Sequence, residues 1–201
     1  MQTSDLNRIM KEINLPNKYI KKGRLAYYLI KHNSDASILV GLYLDNTSDK
    51  DTFFLQYFVQ CLFIPSQTLI FSLGDRIGNH WTKQDLLDIN NIIKNFNQFD
   101  RLNSFVEFIE YLRKSPYYGH LVGKNQCFAY TYFILKSYKE SLHYLNEIIA
   151  LKNHSNAEWF ENDIKNAECI KDCIIKEDYN KGIDFIIKWQ KETMLAIKLC
   201  Q

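Results

Sequence analysis

Gly74-Asp75-Arg76-Ile77-Gly78-Asn79-His80-Trp81 is the most unusual polar cluster in the chain. An acid, a guanidinium and an imidazole on a glycine-flanked loop can hold a phosphate or move protons. A loop at the end of a sheet also needs glycine and solvated charge, so the cluster has a purely structural reading as well. Tyr117-Tyr118-Gly119-His120, following Pro116, carries aromatics of the kind enriched at interface hot spots. Its structural alternative is a hydrophobic loop folded over the core. Cys169 and Cys173 stand four apart on one predicted helix and could ligate a metal together with His143 or His154. Ile170 and Ile174 beside them favour core packing instead, so no metal ligand is assigned.

Lys18-Tyr19-Ile20-Lys21-Lys22-Gly23-Arg24, with Tyr27-Tyr28 after it, interleaves basic and aromatic residues as single-strand nucleic-acid platforms do. Lysines on an exposed edge strand equally guard against sheet-to-sheet association. With 25 basic residues against 23 acidic, nine against seven in 1–80 and sixteen against sixteen in 81–201, the chain lacks a concentrated basic footprint. No nucleic-acid partner is expected. Dinucleotide, P-loop, nucleophile-elbow, zincin and paired Cys-x-x-Cys motifs are all missing from the sequence, so neither a cofactor nor a catalytic residue is assigned. The candidate binding residues are Asp75, Arg76, His80, Trp81, Tyr117, Tyr118 and His120.

These groups must be positioned by the elements around them. Ser4 reads as the cap of a short helix whose Leu6, Ile9, Met10 and Ile13 share one face. From Lys18 the period changes to that of strands: Tyr19–Lys22, Leu25–His32, Ile38–Leu44, Phe53–Ile64 and Thr68–Leu73, separated by short turn-forming segments. Connections so short hold no crossover helix, so the five strands form an antiparallel meander. Thereafter helical spacing dominates. Thr82 caps a helix with Leu86, Ile89, Ile93 and Phe96, a second runs from about Arg101 to Ser115, and Gly119 and Gly123 mark a loop. Four further helices are predicted at roughly 124–137, 139–152, 156–176 and 179–199.

The fold class is therefore α+β: an N-terminal helix, an antiparallel sheet of about five strands, and a C-terminal bundle of about six helices packed in hairpins. A 201-residue chain buries roughly 70% of its unfolded surface without metal or disulfide staples. No Pro/Gly/Ser-rich linker interrupts it, so 1–201 is expected to be a single domain, with 1–79 its helix-plus-sheet part and 80–201 its helical part. The first residues have no apolar run of signal-peptide length, and Gln56 and Gln60 interrupt Phe53–Ile64. A cytoplasmic protein without a membrane partner is expected, and the five cysteines fit a reducing compartment. The abundance of Ile, Lys and Asn (23, 20 and 18 residues) is the bias of an AT-rich bacterial genome.

Two resemblances follow from these residues. The stretch Tyr138-Lys139-Glu140-Ser141-Leu142 matches Tyr179-Asn180-Lys181-Gly182-Ile183 at an offset of 41, and each resembles the tetratricopeptide-type helical hairpin. The period is longer than that family's, only two units occur, and neither ends in its proline. Phe58-Val59-Gln60-Cys61-Leu62-Phe63-Ile64-Pro65-Ser66, continuing to Gly74, looks like the strand–turn–strand of uncharacterised bacterial α+β domains, some of them immunity-protein-like. Cys61 and Phe63 depart from the Pro and Tyr of that pattern, and it brings no catalytic residues. The resemblance implies a non-enzymatic module that binds another protein, in the immunity reading a toxin. The alternative, from the residues alone, is an enzyme acting on a phosphorylated or nucleotide-like substrate at the 74–81 loop. Oligomeric state is not legible.

Overall fold

A computed structural model describes residues 1–96, 102–152 and 157–199. The chain opens with α1 (Thr3–Glu12) and runs through β1 (Ile20–Lys22), β2 (Leu25–Lys31), β3 (Ser37–Asn46), β4 (Phe53–Cys61) and β5 (Gly74–Arg76). It continues in α2 (Leu86–Asn95), α3 (Phe105–Lys114), α4 (Leu121–Ile134), α5 (Tyr138–Ala150), α6 (Glu158–Ile175) and α7 (Tyr179–Ala196). The strands lie in chain order with every neighbour antiparallel, and the fold is α+β.

Alternation decides what each sheet face meets. Tyr28, Val40 and Val59 stand opposite one another across β2, β3 and β4, and with Leu42, Leu55 and Tyr57 they form the face buried beneath the helices. The same apolar cluster takes in Leu6 and Met10 of α1 and at least one residue from every later helix. The opposite face, with Tyr27, Leu39 and Phe58, is closed by Leu69 and Phe71 and by Met194, Ile197 and Leu199 at the chain's end.

That second face explains a correction. Thr68–Leu73 is not the fifth strand; β5 is Gly74–Arg76, and β4 stops at Cys61 where the chain turns. Gln60 takes over the hydrogen bonds a strand there would make, accepting from Ile70 N at 3.1 Å and donating to Thr68 O at 3.3 Å. Phe71 then folds onto Phe58 and Tyr43, with centroids 4.9 and 5.4 Å away. At the N-terminus Gln2 rather than Ser4 occupies the cap position. Arg101 lies outside the described residues, and α3 is capped by Ser104, whose hydroxyl accepts from Glu107 N.

The basic stretch 18–24 is engaged with the fold. Lys21 Nζ donates to Lys11 O and Ile13 O at the end of α1, and Lys22 Nζ to Lys198 O just beyond α7. Lys18 and Arg24 lie over the rings of Tyr28 and Tyr43.

The offset of 41 has a structural counterpart. Lys136 and Glu177 both take positive φ (61° and 56°) as α4 and α6 end, with Ser137 N bonded to Tyr132 O and Asp178 N to Cys173 O. Tyr138 and Tyr179, which open the next helices, stack with centroids 4.1 Å apart. The small residues differ in what they face. Ser141 donates to Ala129 O of α4 at 2.8 Å, within its own hairpin, whereas Gly182 packs against Phe133, on α4 of the preceding hairpin.

Candidate functional site

The 74–81 segment does not gather its polar groups. Asp75 pairs with Tyr57 and Arg76 with Gln56 across β4, so their side chains leave opposite faces of the sheet. Asp75 accepts from Arg76 N, while the Arg76 guanidinium lies 3.8 Å from the centre of the Phe54 ring. His80 rests on the same ring at 4.7 Å. Trp81 is fixed by its indole N–H to Ile77 O at 2.6 Å and by a backbone bridge to Phe53. Arg76 and His80 therefore share Phe54 in solvent, Asp75 is turned away, and Trp81 secures the sheet edge.

The 117–120 segment leads to a real cavity. Gly123, read from the sequence as part of a loop, lies in the first turn of α4, because His120 Nδ1 caps that helix by accepting from Val122 N at 3.3 Å. Tyr117 turns inward: its hydroxyl sits where a Cβ on Gly123 would lie 2.2 Å away, and burial pushes its pKa up. Tyr118 N is anchored to Ser72 O at 2.8 Å, and its ring is 69% exposed. The His120 ring meets Trp159 and Phe160 of α6 edge-on, at 5.5 and 5.8 Å.

Behind these residues is a cleft of about 200 Å³ between the end of β4, the 64–73 segment, α4 and α6. Its mouth carries His120 and Trp159, and its interior Tyr117, Gln126, Cys127 and Asp163. Burial raises the Asp163 pKa above the usual carboxylate range, opposed by Gln126 and by the nearby His120. Among the described residues Asp163 has no ion pair. Gln126 is only 2% exposed, and neither its Nε2 nor the Tyr130 hydroxyl one turn on makes a hydrogen bond of normal geometry. Cys61 and Cys127 adjoin, both free, and burial pushes the Cys61 thiol far up, so Cys61 supplies no ready thiolate.

The chain matches no family model, no curated protein and no solved structure. Function must be read from the site itself.

Of the residues singled out in the sequence, Tyr117 and His120 line this cleft, joined by Trp159, Gln126 and Asp163, which sequence reasoning missed, while the exposed Tyr118 lies between them in the chain and outside the lining. A signal for Asp163 existed: it falls on the apolar stripe of α6, between Phe160, Ile164 and Ala167, where an acid is out of place. Gln126 similarly interrupts the buried run Cys127–Ile134 at its start. Cys169 and Cys173, weighed as metal ligands and read as core, differ in burial, Cys169 being exposed and Cys173 buried, and His154 lies outside the described residues. Among the described residues no group of three or more His, Cys, Asp or Glu side chains is placed to hold a metal ion. No described helix is long and apolar enough to cross a membrane. A second depression, of about 490 Å³, adjoins the Tyr138–Tyr179 stack, but His32 there is already paired with Ser34.

Proposed function

We propose that this protein is a non-enzymatic protein-binding module, of the immunity type that neutralises a toxin, and that it meets its partner through the surface around His120. The observation that carries this reading is the gathering of exposed apolar groups there. Tyr118, Leu121 and Trp159 are 69, 59 and 53% exposed; the first two flank His120 in the chain, and Trp159 meets its ring at the mouth of the cleft. Tyrosine and tryptophan dominate binding hot spots because they bury large rigid areas at small entropic cost. The enzyme reading at 74–81 has less support, since Asp75, Arg76 and His80 do not converge.

The test is comparative capture from lysate of the native host, read by mass spectrometry. The wild-type chain should retain one stoichiometric partner that is lost with the Tyr118→Ala, Trp159→Ala double variant, at an unchanged melting temperature. Leu87→Ala, at an equally exposed apolar position on α2, should keep it. Partner retention by the double variant would sink the docking surface.

A further inference from the structure

The cleft beneath that surface is more selective than an apolar rim requires. Its volume of about 200 Å³ is below the roughly 300–1,000 Å³ of sites for drug-sized ligands, and suits one large side chain. Its interior is not apolar: Asp163 makes no ion pair among the described residues, and Gln126, almost wholly buried, lies beside it with a carboxamide N–H that makes no hydrogen bond of normal geometry. A native fold seldom leaves a buried donor such as Gln126 Nε2 without a well-placed acceptor, because it costs about 1–3 kcal/mol when unpaired. The walls are rings: Tyr117 inside, His120 and Trp159 at the mouth.

We infer that the cleft receives one arginine side chain of a partner protein, its guanidinium closing on Asp163 against the rings of Tyr117, His120 and Trp159. A guanidinium answers each feature. It is planar and stacks on aromatic faces, its forked N–H groups match a carboxylate, and it is less strongly hydrated than an ammonium, so entering a small cleft costs it less. With one carboxylate oxygen engaged by arginine, the other can accept from Gln126 Nε2, which holds the Asp163 rotamer. A negative side chain would meet an acid that has no ion pair among the described residues, and a wholly apolar one would leave Asp163 without a countercharge and Gln126 Nε2 without a well-placed acceptor.

The inference rests on the docking surface proposed above and is tested separately from it. Full-length protein labelled with ¹⁵N is titrated with N-acetyl-arginine methylamide, and in parallel with the citrulline analogue, which has nearly the same shape without the charge. The arginine probe should shift the Trp159 indole and Gln126 carboxamide signals saturably and bind roughly tenfold more tightly than citrulline. In Asp163→Asn that preference should vanish while the melting temperature does not fall, which excludes unfolding as the cause. Equal binding of the two probes, or an arginine preference that survives Asp163→Asn, overturns the inference. Partner capture that needs Tyr118 and Trp159, with no arginine preference, overturns the cleft assignment alone. An Asp163-dependent preference with capture indifferent to the rim overturns the docking surface and leaves the guanidinium site standing.

Discussion

Asp163 is the residue whose behaviour most sharply separates a functional site from a structural one. Its pKa is raised chiefly by burial, so the folded state holds a proton more tightly there than the unfolded chain does. The sign of the linkage follows: relative stability is fully present below the unfolded aspartate value, about 3.9, and is lost as pH rises through the higher folded value. At neutral pH the carboxylate is thus a net cost. Asp163→Asn should raise the melting temperature at pH 7, with the difference from wild type shrinking as the pH is lowered towards 3.5. The titratable groups that face it are His120 and Tyr130 from α4 and Tyr117 from the preceding segment; both tyrosines have raised pKa values and stay neutral throughout that range. Thermal melts of the two proteins at several pH values decide it, and a fall at pH 7 would mean that Asp163 is a structural acid with a favourable partner. A residue that costs stability where it also binds is the ordinary exchange between activity and folding.

At the scale of elements, the helical hairpins meet through small residues whose replacement has a calculable consequence. A Cβ on Gly182 would lie 2.3 Å from the tip of the Phe133 ring, and Phe133 is buried in the core. Alanine gains about 1 kcal/mol of helix propensity over glycine, but overpacking typically costs about 1–3 kcal/mol. The clash should win, so Gly182→Ala lowers stability by about 1 kcal/mol and the melting temperature by about 2–4 °C. Phe133→Leu in the same chain should recover part of the loss, whereas a rise in the single variant would show that α7 can move off α4. Much at this scale was legible in the sequence. The small residue at an offset of 41 marked close helix approach, and alternation gave β2 to β4 because each has at least one face that must be buried, whereas β1, exposed along its whole length, was marked by the Lys22-Gly23 turn after it. The fifth strand was misplaced because Leu69 and Phe71 satisfy a strand pattern and an overlay of the second sheet face equally well. Only the side-chain bonds of Gln60, invisible to periodicity, choose between them. The site was half legible for a related reason. Tyr117, Tyr118 and His120 are adjacent in sequence, but Trp159 and Asp163 reach them only through the packing of α6 beside them.

For the whole molecule, the question is whether the sheet part and the helical part unfold together. The apolar cluster under the sheet contains Leu6, Val40 and Tyr57 from one part and Phe108, Tyr130 and Trp189 from the other, with no gap between them. The connections are also polar. Gln190 on α7 accepts from Ser37 N at 2.6 Å at the start of β3 and donates to Asp35 O at 2.8 Å, and Thr193 donates to Ile64 O at 3.1 Å. Removing the helices would strip the buried face of the sheet and expose Tyr28, Val40 and Val59 together, which a five-stranded meander of this size has no other means to cover. Urea unfolding should therefore be a single transition, with far-ultraviolet circular dichroism and tryptophan fluorescence giving the same midpoint and slope. The tryptophans make the comparison informative, because Trp81 reports the sheet edge while Trp189 reports the contact of α7 with Tyr130. Two separated midpoints would mean that 1–79 and 80–201 are distinct folding units. One midpoint places the arginine cleft, built from β4, α4 and α6 at once, inside a single cooperative unit, where its walls keep their spacing for as long as the molecule is folded.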